Sequence, residues 1–486
     1  MSQDATLDRL ANATLLVPFP GTEAPRWLLD GLAEGFAGVC LFHNNIASPE
    51  QVSSLVSHLN RAAEAPIVSL DEEGGDVTRI GHLQGSAYPG NAALGVVDDL
   101  ELTRRVHHAL ATELADLGVT LDLAPSVDVN VAEDNPVIGT RSFGSDTDLV
   151  ARHAAAAVSG LQSAGVAACA KHFPGHGATH QDSHEVLPVV DAAPDLLHSR
   201  ELQPFRTAID AGVASILTAH IQLPSLGLTG PATLSRAVVT DLLRKQLGFT
   251  GVVISDALEM RGVSADIGVP EAAVRALESG CDLLCLGRYI YDTDIATVRE
   301  AITTAVRSGR LPGERLEEAA SRVATLRSPT PTVTPPTHER ASGLDGARRA
   351  LTVEGDLPDL NHPEGPVVVE LDVPPMAAVG EVPWGLGPWF PETRRLRPEH
   401  TTVDEVRAAV GDRPLVLVVR DAHRHEDTRN LVTEVCQAYP DTVVVDMGVP
   451  VWRPQCRAYI RTYGAARVNA QGAAEVLRTR VAAPVH

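Results

Sequence analysis

Eight short apolar, β-branched runs recur through the first 328 residues, each set off from the next by a longer stretch, and this alternation restricts the fold most. The runs are TLLVPF (14–19), GVCLF (38–42), PIVSL (66–70), VTLDLA (119–124), VAACAK (166–171), SILTA (215–219), GVVIS (251–255) and DLLCL (282–286). Between several of them lie amphipathic segments at 101–118, 145–165, 235–248 and 270–280, each closing on glycine as helix C-termini do. Parallel strands joined by crossover helices build either a closed (β/α)8 barrel or an open doubly wound sheet. The residues just past the runs favour the barrel. His43, Asp71, Pro125 to Asp128, Lys171 and His172, His220, and Asp256 sit at the strand ends, which a barrel gathers on one face and an open sheet strings along an edge. The expected fold is therefore α/β, with an N-terminal TIM barrel over residues 1–328.

The periodicity then stops. The proline- and threonine-rich segment LRSPTPTVTPPTHERASG (326–343) reads as a stiff linker, placed at 329–345. Beyond it, PVVVELDV (366–373), PLVLVVRDA (414–422) and DTVVVDMGV (441–449) alternate with helical segments near 403–411, 426–438 and 471–481. A smaller three-layer α/β domain over 346–486 is expected.

Composition narrows the partners. Forty basic against 62 acidic residues leave a formal charge of −22, which repels phosphate backbones and anionic lipid at long range. Neither nucleic acid nor a membrane is an expected partner, and no stretch approaches the ~18 unbroken apolar residues of a membrane helix. The first residues, MSQDATLDRL, lack a secretion-signal pattern, so a cytoplasmic location is expected. The six cysteines sit mostly in apolar runs and read as reduced, buried thiols. Cys281 and Cys285 have no second pair nearby, which disfavours zinc.

The segment KHFPGHGATHQDSHEVLP (171–188) is the most informative. Its histidines, His172, His176, His180 and His184, are spaced by four, which on a helix would make a metal-binding face. Pro174, Gly175 and Gly177 oppose that helix, so a loop leaving a strand end is expected, without a metal. Asp182 and His184 are two apart. A carboxylate so placed can fix the imidazole tautomer and make the ring a general acid/base; the plain alternative is a solvated loop. Asp256 follows a strand end and is either aimed at the mouth or is a helix N-cap in SDALEM. SLDEEGGDVTRI (69–80) supplies Asp71 and Arg79, and LAPSVDVNVAEDNPVIGTRSFG (123–144) supplies Asp128 and Arg141, with surface ion pairs as the alternative for both arginines.

KHFPGHG with DSH downstream, DEEGGxVxR, NPVIGxRSFG and VVISDALEM together resemble the family 3 glycoside hydrolases, in the branch of the β-N-acetylglucosaminidases. The resemblance runs from about residue 10 to 328. It implies that Asp256 is the catalytic nucleophile and that His184, oriented by Asp182, is the acid/base. Most retaining glycosidases place two carboxyl groups roughly 5–5.5 Å apart; in this branch an imidazole on a loop replaces one of them. Asp71, Arg79, Arg141, Lys171 and His172 are implied contacts to the sugar, and Asp128 and His176 are implied braces. The commoner pattern near Asp71 is DxEGGRVQR, where this chain has Asp76 and Thr78. No catalytic glutamate is expected from the second domain, whose cluster DAHRHEDTRN (421–430) reads as a solvated loop, with reach into the substrate cleft as the alternative.

The implied activity is that of a retaining exo-β-N-acetylglucosaminidase acting, without a cofactor, on a small-molecule carbohydrate: cell-wall (muropeptide) or chitin-derived fragments. Three alternatives stand beside it: a phosphorylase of the same family, a metal-dependent barrel hydrolase using the histidine series, and a non-catalytic sugar-binding protein.

Overall fold

The computed structural model describes residues 3–327 and 341–480. Eight parallel strands close into a barrel: β1 (Leu15–Val17), β2 (Gly38–Cys40), β3 (Ile67–Leu70), β4 (Leu121–Asp122), β5 (Ala167–Phe173), β6 (Ser215–Thr218), β7 (Val252–Ser255) and β8 (Leu283–Cys285). Each strand pairs with its sequence neighbour, and β8 pairs back on β1. Strands covered on both faces read as continuous apolar runs rather than alternating ones, which is why all eight stand out in the sequence. A single buried cluster draws on every one of them, including Leu16, Cys40, Ile67, Leu121, Cys169, Leu217, Ile254 and Leu283. Cysteine fills the barrel interior as a small apolar residue; all six cysteines are free, and five are buried. At Gly38 a Cβ would come within 2.0 Å of the Ile67 carbonyl, so only glycine permits the β2–β3 pairing there.

The remaining strands form one six-stranded sheet: β9 (Thr352–Gly355), β10 (Val367–Leu371), β11 (Arg394–Leu396), β12 (Leu415–Val419), β13 (Val443–Asp446) and β14 (Ala458–Arg461). Their order is β11-β10-β12-β13-β14-β9, all parallel except β9. Alternate residues enter two different cores. Val368, Val416, Val418 and Val445 enter one, while Val369, Leu417, Val419 and Val444 enter the other. Helices Val403–Val410 and Glu426–Ala438 contribute to the second core, and Arg467–Arg478 to the first, giving three layers.

The chain divides into two compact units. The second contains the C-terminal sheet together with Gly74–Leu102 and Gly139–Phe143, and the first holds the other described residues up to 327. The linker expected at 329–345 lies outside the described residues as far as 340. Its last five residues are not linker: they open the helix Ala341–Ala350.

Candidate active site

Lys171 and His172 are the fifth and sixth residues of β5, and both are buried. The Lys171 ammonium lies 2.7 Å from Asp71 Oδ1 and 2.7 Å from Glu73 Oε1, both just beyond the end of β3. A buried ammonium held by two carboxylates is fixed in place, because charge-assisted hydrogen bonds to both replace the water lost on burial. Next to it, Asp122 at the end of β4 accepts the Glu72 amide at 3.0 Å, and burial pushes its carboxyl well above the usual range.

Asp128, after β4, is a buried hub. It accepts from Ser126 Oγ (2.9 Å), from the His172 amide (3.3 Å) and from the His176 amide (2.6 Å), and it pairs with His172 Nδ1 at 2.7 Å. Burial raises its carboxyl, but the His172 and His176 contacts outweigh this and the net shift is downward. His176 in turn bonds Thr179 Oγ1 (2.7 Å) through Nδ1 and Ser183 Oγ (3.1 Å) through Nε2. Burial pushes His176 down to about 4, so it is a neutral strut reaching the residue next to His184.

The loop beyond carries the Asp-His pair. Asp182 Oδ1 lies 2.6 Å from His184 Nδ1 and accepts the His184 amide at 2.8 Å. These two contacts to one oxygen bend the segment and aim the other ring nitrogen away from Asp182. The Asp182 side chain is 16 % exposed and that of His184 37 %, so the dyad is anchored by its carboxylate and open at its imidazole. Burial raises the Asp182 carboxyl, and the bonds from His184 more than reverse it. The loop is tied beyond the dyad by the Gln222 amide to Pro188 O (2.8 Å) and the Val190 amide to Gln222 O (2.9 Å).

Asp256 directly follows β7. It is not a helix N-cap: the next helix is Arg261–Ser264, and the Asp256 Oδ1 accepts the amide of its own neighbour Ala257 at 2.7 Å. Burial raises this carboxyl, yet its interactions with His220, His172 and His184, with the Ala257 amide, bring it below its ordinary value. Three imidazoles from β5, the loop after it and the end of β6 thus act on one carboxylate. Gly262 brings the walls together, since a Cβ there would lie 2.8 Å from Val186 O and 2.9 Å from Ser183 O. The dyad loop rests against the segment that follows Asp256.

The barrel end thus gathers Asp71, Lys171, His172, Asp182, His184 and Asp256. His220 and Glu73 belong with them. His220, buried after β6, reaches Thr233 Oγ1 (2.9 Å) and the Ala257 carbonyl (3.1 Å), orienting the turn that carries Asp256. The only sequence sign of His220 is its place after a strand, and Glu73 reads only as part of an acidic run. Arg79 and Arg141 fall in the second unit: Arg79 Nη2 donates to Ala378 O at 3.3 Å, and the Arg141 carbonyl accepts from Asn91 Nδ2 at 2.7 Å. Asp76 is buried there too, accepting from Thr140 Oγ1 and the Ala465 amide, both at 2.7 Å. Each of the four spaced histidines has its own side-chain partners. His180 pairs with exposed Asp134 at 2.6 Å, and among the described residues no group of three or more His, Cys, Asp or Glu is placed to hold a metal. In the 421–430 cluster, Arg429 folds back on the carbonyls of Ala422 (3.2 Å) and His423.

The chain is 34 % identical over 320 residues to β-hexosaminidase A of Pseudoalteromonas piscicida, covering 60 % of this chain and 53 % of that one, so it spans about half the length of that relative. It is 37 % identical over 270 residues to β-hexosaminidase LpqI of Mycobacterium tuberculosis, covering 54 % and 68 %. The structure of a family 3 β-N-acetylglucosaminidase from Paenibacillus sp. FPU-7 superposes with a TM-score of 0.87 at 31 % identity, covering 98 % of this chain and 97 % of the other. Residues 20–326 match the glycosyl hydrolase family 3 N-terminal domain, and with that match, on the closed barrel described above, the chain belongs to glycoside hydrolase family 3.

Proposed function

We propose that the protein is a retaining exo-β-N-acetylglucosaminidase in which Asp256 is the nucleophile and His184, oriented by Asp182, is the acid/base. The observation that carries the reading is a carboxylate-held imidazole, His184 on Asp182 at 2.6 Å, on a loop whose Ser183 and Val186 carbonyls pack against the segment that follows Asp256. The names of the β-hexosaminidase relatives and of the Paenibacillus enzyme support it.

The chemistry follows from the two groups. With the imidazole protonated, His184 gives its proton to the glycosidic oxygen as the C1–O bond breaks, and an Asp256 oxygen forms the bond to C1. The aglycone leaves as the alcohol, and the imidazole is now neutral. It then takes a proton from water as that oxygen attacks C1, the Asp256–C1 bond breaks, and the imidazolium is restored. Two displacements retain the β configuration. Lys171, Asp71 and His172 hold the sugar hydroxyls, where a fixed ammonium, carboxylate and imidazole discriminate through hydrogen bonds. Asp128, His176 and His220 position these groups without touching substrate. The substrates we favour are cell-wall or chitin-derived fragments, and six free cysteines fit a reducing compartment such as the cytoplasm. No helix among the described residues is long and apolar enough to cross a membrane.

The test is turnover of an aryl β-N-acetylglucosaminide followed by NMR, with and without phosphate. β-N-acetylglucosamine as the first-formed product supports the reading. An α-anomer, sugar 1-phosphate as the main product, or absence of turnover overturns it.

A further inference from the structure

The strand order of the C-terminal sheet places a crevice where open parallel sheets bind ligands. From β10 the chain moves to β11 on one side, then returns past β10 to β12 on the other, so the connections diverge between β10 and β12. Ligands of open α/β sheets bind outside the carboxyl ends of the strands at such a switch point. A cavity of about 600 Å³ lies there, lined by Arg395 of β11 and by residues following β10, β11 and β12, and every lining residue belongs to the second unit. Its size falls within the roughly 300–1,000 Å³ of small-molecule pockets. From this position and its lining, we infer that the C-terminal unit binds a pyranose sugar in this cavity. The inference goes beyond the hydrolytic reading and stands without it.

The walls are built and held. The segment after β10 is anchored by Met376 and Val379, which pack on Val77. Arg395 lies 2.8 Å from the buried Glu370 and donates to the Trp384 carbonyl at 2.9 Å, while the buried Arg420 is 3.4 Å from Asp76. Both guanidinium groups stand near the Trp384 indole, at 5.3 and 6.0 Å from its centre. These two cations are already neutralised.

The other charged groups on the lining decide the ligand class. Among the described residues, Asp372, Glu381 and Glu399 have no ion-pair partner, and neither has Arg397. Three such carboxylates against one guanidinium oppose a phosphate or another anion. An apolar ligand would desolvate all four without replacing their water hydrogen bonds. A pyranose satisfies them: its hydroxyls donate to carboxylates and accept from a guanidinium, and its C–H face packs on an indole.

The experiment is titration calorimetry of the full chain with a thio-linked chitotriose, which resists cleavage, on the wild type, Trp384→Ala, and the double variant Asp372→Asn with Glu399→Gln. Two saturable sites per chain are expected, of which one is unchanged and the other is weakened roughly tenfold or more in both variants. Turnover of a soluble aryl glycoside should stay within about twofold of wild type. Sugar binding that is unchanged in both variants, or binding of inorganic phosphate or a polyamine in place of sugar, overturns the inference. If Trp384→Ala does not fold, the double variant alone decides. Absence of aryl-glycoside turnover in all three proteins would count against the hydrolytic reading and leave the sugar titration to decide this one.

Discussion

Replacing Asp182 by Asn probes the dyad without removing the imidazole. The carboxylate makes two contacts with His184, at 2.6 Å to Nδ1 and 2.8 Å to the amide, and only the first involves the ring whose charge changes in the reaction. An asparagine carbonyl keeps both geometrically, so the loop should hold its shape; what is lost is the negative charge facing the imidazolium. Hydrogen bonds to charged groups contribute about 1.5–3 kcal/mol, and the 37 % exposure of the His184 side chain places this one near the lower end. A loss of about 1.5–2 kcal/mol in the transition state corresponds to roughly 10–30-fold in rate. The assay is kcat/KM, which reports the first, bond-breaking step, on two substrates. Chitobiose, whose leaving group needs a proton, should lose roughly 10–30-fold, whereas a 2,4-dinitrophenyl glycoside, which needs little protonation, should lose less than about threefold. Equal losses on both substrates would refute the assignment of proton transfer to this pair.

Asp256→Ala should reduce kcat/KM by at least about 10³-fold on both substrates, because no leaving group compensates for a missing nucleophile. Gly262→Ala should push the dyad loop, through its Ser183 and Val186 carbonyls, away from the segment after Asp256, lowering kcat up to about 100-fold while thermal unfolding shifts by no more than a few degrees. Acid should destabilise the barrel unit through His176 and His107, both held at about 4 by burial against 6.5 unfolded. Their neutral forms stabilise the native state above pH 6.5. That contribution declines as pH falls from 6.5 to 4, by about 3 kcal/mol per residue at full effect, and unfolding midpoints measured across that range should fall accordingly. In His176→Asn this part of the acid sensitivity should shrink by about half; an unchanged profile would show that His176 is not held neutral.

The barrel strands were legible because burial on both faces keeps each run mainly apolar, and in β5, from Ala167 to Phe173, the ionisable Lys171 and His172 come only near the end. β11 was not, since its Arg394-Arg395-Leu396 is exposed or half-buried and carries the charge pattern of a loop. The edge strand β9, TVEG, alternates half-buried and exposed residues over only four positions, too short to stand out. In the site, the Asp182–His184 contact is local, made across two residues, and could be anticipated from spacing. Glu73 on Lys171 and His220 beneath the Asp256 turn depend on strands meeting across the barrel, which no local pattern encodes. Asp256 could equally be read as a cap from sequence; only the position of the following helix separates the two. The substitution of Asp76 for the family's usual arginine also becomes intelligible, because this carboxylate is buried against Thr140, Ala465 and the Arg420 guanidinium.

The central claim is that Asp256 forms a bond to the sugar. Trapping the enzyme with a 5-fluoro N-acetylglucosaminyl donor, then mapping the modified peptide by mass spectrometry, tests it directly. The account predicts one glycosyl group per chain, carried by Asp256 and absent from Asp256→Ala. Label on any other residue, or inactivation without a covalent adduct, would contradict it.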